Sequence, residues 1–118
     1  MRDPESRSEK SILHKAEGFE GELSIVLPEY VIREVRESQV ICDLYITDIG
    51  YYPVARHHYR SRPGGVDQNI LIYVVDGEGT IVLDNDRYHL RSNQFFVIPE
   101  GKSHKYGAVE EDPWSIYW

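Results

Sequence analysis

The chain has 118 residues, 41% of them hydrophobic and 28% charged, with thirteen Lys and Arg against twenty Asp and Glu for a net charge of −7. This is the size of one ordinary domain, able to bury roughly two thirds of its unfolded surface. Its acidity argues against direct contact with DNA or RNA, whose phosphates require a positive face. The longest apolar runs are five or six residues, too short for a transmembrane helix. Cys42 is the only cysteine, which excludes an intrachain disulfide and a CxxC zinc site. The charged start, Met1 to Glu5, has no apolar signal region, and a cytoplasmic location is expected.

In chain order, residues 1–11 are nearly all polar or charged and read as a disordered arm, with residues 12–118 as the folded domain. Leu23 to Leu27 is the first strong apolar run, and its β-branched residues favour a strand. Pro28 then stands at an expected first helical position. Tyr30, Val31, Ile32 and Val35 recur at helical spacing, predicting a short amphipathic helix over Pro28 to Ser38. Beyond residue 40 the period becomes two. Leu44, Ile46 and Ile49 alternate with polar neighbours, and Ile70 to Val75 reads as a strand covered on both faces. Asp76-Gly77-Glu78-Gly79 reads as a tight hairpin turn. Thr80–Leu83, Arg87–Leu90, Phe95–Ile98, Ser103–Tyr106 and Trp114–Trp118 follow as short strands separated by turn residues. That spacing predicts an all-β sandwich or barrel. A natural domain seldom ends on W-S-I-Y-W, so the chain reads as a fragment cut at a domain edge.

Pro99-Glu100-Gly101-Lys102-Ser103-His104 fits P-x-G-x-x-H: proline ends a strand, glycine permits a sharp turn, and the next strand carries a histidine inward. Asn93, six residues before Pro99, tolerates left-handed backbone. With Asp76 to Gly79, this resembles the cupin superfamily, whose fold is a double-stranded β-helix or jelly roll. Metal-binding cupins carry His-x-His and Glu before the first glycine turn. Here those positions hold Gly64 or Val66, Val66 or Gln68, and Ile70 or Ile72. His104 would therefore stand alone, and neither a metal site nor a cofactor is expected. His57 and His58 are adjacent, and adjacent strand residues point to opposite faces; one is expected inward and one solvated. Cys42 reads as a small packed residue, and Glu110-Glu111-Asp112 as a solvated acidic loop. Gly77 and Gly79 do not make a dinucleotide fingerprint, because a strand follows where a helix is needed.

What remains suits binding. There are nine tyrosines and two tryptophans, and Arg56, Arg60 and Arg62 cluster in one segment. Tyr106 shares a face with His104, and Trp114, Ile116 and Trp118 share a face of the last strand. Aromatic planes stack on apolar C–H faces while Arg and Tyr meet hydroxyls, which suits a small polyhydroxylated ligand.

The stretch Leu44 to Trp118 resembles the N-terminal effector-binding domain of AraC-type (arabinose-regulator family) transcription factors. The segments that carry the resemblance are L-Y-I-T-D-I-G-Y-Y-P from Leu44, R-S-R-P-G-G from Arg60, I-Y-V-V-D-G-E-G-T from Ile72, F-F-V-I-P-E-G-K-S-H-K-Y-G from Phe95 and D-P-W-S-I-Y-W from Asp112. The resemblance implies sugar contacts at Arg62, Tyr106 and Trp118. Ile116 stands where the arabinose regulator has a histidine, so the ligand is expected to differ from arabinose. His104, Tyr73 and His58 are further expected to line the pocket. The family also implies a homodimer and a helix-turn-helix domain beyond this chain, through which the effector biases DNA binding. Two other readings are a small cupin enzyme with His104 as acid or base, and a structural dimerisation domain with a filled barrel.

Overall fold

A computed structural model describes residues 14–118; the expected arm at 1–11 lies outside the described residues. The described chain runs through β1 (Leu23–Val26), α1 (Glu29–Glu37), β2 (Asp48–Tyr52), β3 (Tyr59–Arg62), β4 (Ile70–Asp76), β5 (Gly79–Leu83), β6 (Asp86–Leu90), β7 (Phe95–Ile98), β8 (His104–Ala108) and β9 (Ser115–Tyr117). Pro28 sits at the N-cap of α1, one position before its expected place. Its carbonyl accepts from the N–H groups of Val31 and Ile32, a role that needs no N–H of its own.

The strands form two antiparallel sheets, ordered β1-β2-β9-β4-β7 and β3-β8-β5-β6. From β2 onward the chain steps between the sheets at almost every turn. Only β5 and β6 pair as sequential neighbours there, through the turn at Asp84, which takes φ +55°. This double winding is the jelly roll, or double-stranded β-helix, with one short helix at its N-terminal side. Its core lies between the sheets, where Ile72, Val74, Ile81, Ile98, Trp114 and Ile116 are buried.

The pairing corrects three expectations. The Asp76 to Gly79 turn carries the chain across to the other sheet and does not close a hairpin. Both edges of β4 are already taken by the distant strands β7 and β9, and Glu78 N–H donates to the Asp112 carbonyl instead. Second, the apolar run in β4 is covered on one face only. Ile72 and Val74 point into the core while Leu71 and Val75 are exposed, because nothing among the described residues packs on the outer face of this sheet. One row crosses all five strands there, through Leu23, Tyr51, Tyr117, Tyr73 and Phe95. Third, Leu44 and Ile46 belong to no strand and are exposed. The β1–β2 register starts at Asp48 opposite Val26, so residues 38–47 only return the chain from α1. Cys42 sits half-exposed in that return, beside Asp43, and is not a packed core residue.

Candidate functional site

Strand parity builds the site. Arg60 and Arg62 lie two apart on β3, and His104 and Tyr106 lie two apart on β8. The register sets Arg60 opposite Tyr106 and Arg62 opposite His104, so all four side chains share the inner face of the smaller sheet. On the facing sheet, Ile72 of β4 and Ile116 of β9 point inward, and Tyr52 and Trp118 project from the ends of β2 and β9. Between them lies a cavity of about 60 Å³, lined by Arg60, Arg62 and Tyr106 from one sheet and Tyr52, Ile72, Ile116 and Trp118 from the other. His58 and Ala16 complete the lining. The volume exceeds the roughly 10–15 Å³ that one water needs.

His58 arrives through a strained corner. Val54 takes φ +41°, a costly conformation for a β-branched residue. It is held there because its N–H donates to Ser115 Oγ at 2.8 Å and the next N–H, of Ala55, donates to the Trp114 carbonyl at 2.8 Å. His57, itself in a turn at φ +65°, and His58 then part. His57 is half-exposed, 3.7 Å from Glu110, and His58 is buried. Lys15 pairs alongside, donating to the His57 carbonyl and accepting from Tyr59 N–H, which brings Ala16 to the cavity.

The hydrogen bonds fix both buried imidazoles in opposite tautomers. The Trp114 indole N–H, a donor only, reaches His58 Nδ1 at 3.0 Å. His58 therefore accepts at Nδ1 and carries its proton on Nε2. Burial, reinforced by the Arg60 and Arg62 guanidiniums, pushes this imidazole down to about 3, so it is neutral at ordinary pH. His104 is the reverse. Its Nδ1 faces the Lys102 carbonyl at 2.9 Å and must donate, while Nε2 accepts from Arg62 Nη1 at 3.1 Å. The same Arg62 nitrogen donates to the Tyr106 hydroxyl at 3.2 Å, and the guanidinium lies 5.9 Å from the Tyr106 ring centroid. Burial pushes the Tyr52 phenol up to about 12, so its proton stays on.

Of the residues expected from sequence, Arg62, Tyr106, Trp118 and His58 meet at this cavity. His104 stands behind Arg62 and orients it, without lining the cavity itself. Tyr73 departs from the expectation. It lies on the outer face of β4, between Tyr117 and Phe95, and its hydroxyl donates to Asn93 Oδ1. Its odd parity relative to Ile72 and Val74 turns it away from the core. Among the residues not assigned from sequence, Arg60 was legible, since it shares parity with Arg62. Tyr52 and Ala16 were not, since only the fold brings them here.

Two tryptophans need glycines beneath them. A Cβ at Gly79 would overlap the Trp114 ring, and one at Gly50 would overlap the Trp118 ring. Trp118 is further fixed by paired backbone bonds to Gly50, at 2.9 and 3.0 Å.

A metal-ligating cluster of three or more His, Cys, Asp or Glu side chains is not gathered anywhere among the described residues. No helix among them is long and apolar enough to cross a membrane.

A jelly roll with an arginine- and aromatic-lined cavity between its sheets is a small-molecule binding domain in design. Residues 50–118, more than half of the chain, match the model of the AraC-like ligand binding domain, and the chain belongs to that family. It is 30% identical over 100 residues to the MmsAB operon regulatory protein of Pseudomonas aeruginosa, a match covering 81% of this chain and 32% of that protein. It is 31% identical over 51 residues to the lactose operon transcription activator of Staphylococcus xylosus, covering 43% of this chain and 18% of that one. The chain thus spans about a third or less of the curated relatives it matches. Among solved structures, the Schizosaccharomyces pombe Cnp3 cupin domain aligns at TM-score 0.48 and 11% identity, covering 59% of this chain and 50% of that one. A cupin superfamily protein from Desulfitobacterium hafniense aligns at TM-score 0.47 and 14% identity, covering 92% of this chain and 83% of that one.

Proposed function

We propose that this chain is the effector-sensing domain of a bacterial transcriptional regulator. It binds a sugar or related small carbohydrate in a metal-free barrel, and occupancy is coupled to DNA binding by a domain outside this chain. The observation that carries this reading is the convergence of Arg62, Tyr106 and Trp118, from three separate strands or strand ends, on one cavity between the sheets. Arg62 and Tyr106 supply fixed hydrogen-bonding groups, and Trp118 supplies a ring for an apolar sugar face.

Binding is favoured over catalysis by the state of His104. Both of its ring nitrogens are engaged, by the Lys102 carbonyl and by Arg62, which leaves neither turned towards a ligand in the cavity. A filled structural barrel is disfavoured by the cavity itself. The homodimer reading draws support from the exposed row of Leu23, Tyr117 and Phe95, and sedimentation velocity tests it. A regulator acting on DNA works in the cytoplasm. Residues 1–11 are assigned as an arm and 12–118 as the sensor domain.

The test is a thermal-shift screen of the chain against neutral and acidic monosaccharides and smaller polyols, with and without divalent metals. A ligand at about a hundred times its Kd adds roughly 2.7 kcal/mol, several degrees for a domain of this size. The expected result is a metal-independent shift that vanishes in Trp118→Ala and Arg62→Ala. A shift with metal alone would move the enzyme reading forward. No shift from any of these compounds would remove the sensor reading.

A further inference from the structure

The cavity is rich in donors, and the only side-chain oxygens among its lining residues are the phenols of Tyr52 and Tyr106. Arg60 Nε and Trp118 Nε1 are both buried and find no hydrogen-bond partner among the described residues, and both residues line the cavity. His58 has its Nδ1 taken by Trp114, which leaves an N–H at Nε2. Arg62 gives its contacts to the imidazole of His104 and the phenol of Tyr106, neither of which is a carboxylate. The Tyr106 oxygen, having accepted from Arg62, retains its own proton to donate. Among the described residues no Asp or Glu lines the cavity. The acidic groups whose fields reach Tyr52 are Glu22 and Glu17; neither lines the cavity, and Glu22 Oε1 accepts from the N–H groups of Gly18 and Phe19. A chain of net charge −7 thus turns two guanidiniums inward, and its described residues put no carboxylate in the lining beside them.

A neutral polyol fits such a lining poorly. Each hydroxyl brings a donor as well as an acceptor, and beyond the Tyr52 and Tyr106 oxygens its donors would be buried against N–H groups. A carboxylate brings acceptor sites only, about four of them, and neutralises guanidinium charge that is otherwise costly to bury. We infer that the effector is a compact carboxylate, a hydroxy acid or sugar acid whose carboxyl group is held by Arg60 and Arg62 and whose carbon face lies on Trp118. This rests on the sensor reading above and sharpens it from small carbohydrates in general to acidic ones. Arg60 then becomes the specificity-determining residue that separates an acid from its neutral counterpart. Arg62, committed to His104 and Tyr106, is the shared anchor.

The experiment compares each acid with its uncharged isostere on the full chain by isothermal titration calorimetry. The probes are D-glycerate against glyceramide and D-galacturonate against galacturonamide and galactose, with galactose 1-phosphate as a different anion. The acid of at least one pair is expected to bind about tenfold or more tighter than its amide, the scale of one charge-assisted hydrogen bond. Arg60→Gln should erase that ratio, and Arg60→Lys should retain most of it. Circular dichroism on both variants checks that they fold. Should Arg60→Gln fail to fold, the acid-to-amide ratio and its loss with added salt in the unmodified chain carry the test alone. Amides or galactose binding as well as the acids would overturn the inference and leave the sensor reading standing. Tighter binding of the phosphate than of every carboxylate would overturn the carboxylate assignment. Silence from acids and neutral compounds alike, in a folded chain, would overturn both.

Discussion

The indole N–H of Trp114 donates to Nδ1 of His58 across 3.0 Å, between two side chains that are both buried and 56 residues apart in the chain. That bond closes β9 onto the corner before β3 and fixes which imidazole nitrogen faces the cavity. It also gives stability a pH dependence. Since the folded-state value of His58 is about 3 against an ordinary 6.5, the unfolded chain takes up the proton first. The contribution of His58 is therefore intact above pH 6.5 and declines as pH falls from there towards about 3, at up to roughly 1.4 kcal/mol per pH unit. In His58→Gln, melting temperature measured against pH should lose this part of its acid limb. At pH 7 the variant should be weakened by about 1–3 kcal/mol through the disturbed Trp114 N–H. An unchanged acid limb would refute the buried neutral imidazole.

The glycines beneath the two tryptophans should respond differently to alanine. Trp114 is wholly buried and has nowhere to move, whereas Trp118 retains some exposure. Gly79→Ala is expected to cost about 3 kcal/mol or more, at the upper end of overpacking effects. Gly50→Ala should cost less, about 1–2 kcal/mol, but should displace Trp118 and weaken ligand binding. Denaturant unfolding together with tryptophan fluorescence separates the two, and equal destabilisation would contradict the contrast.

Under the proposed function, any effect of His104 on the ligand runs through Arg62, whose guanidinium it accepts from. His104→Ala should weaken effector binding about tenfold, because Arg62 loses the acceptor that aims it. His104→Gln, which can still accept from the guanidinium, should restore part of the affinity. A purely structural role would show the same loss of melting temperature in both variants and no difference in affinity between them.

Tyr73 and Tyr106 provide an internal control. Tyr73→Phe removes an exposed bond to Asn93 and should change stability by less than about 0.5 kcal/mol and binding not at all. Tyr106→Phe removes the acceptor of an Arg62 bond inside the cavity and should reduce affinity severalfold. Titrating both variants with the same ligand decides it.

Val54 carries strain that the fold tolerates. Val54→Asn, a residue at ease with positive φ, should stabilise the chain by up to about 1 kcal/mol. Chemical denaturation measures it. A loss would mean that the packing of the valine outweighs its backbone strain.

The sequence by itself determined the alternation of strands and turns, the Pro28 start of the helix, and the inward placement of His104 and Tyr106. These depend on local periodicity and on proline and glycine chemistry, which act over a few residues. Arg62, Tyr106 and Trp118 were legible because the family resemblance marked them, and Arg60 because strand parity ties it to Arg62. Tertiary structure alone decided the rest. Whether β4 is covered on one face or two, whether the Asp76 to Gly79 turn closes a hairpin or crosses the sandwich, and whether Leu44 and Ile46 find a strand partner all depend on pairings between distant segments. Tyr73 was expected in the pocket lining, and only its register with Phe95 and Tyr117 turned it outward. The tautomers of His58 and His104, and the buried donors of Arg60 and Trp118 left without acceptors, arise from groups dozens of residues apart. Side-chain hydrogen bonding of that kind has no periodicity to read, because it is set by which strands lie face to face.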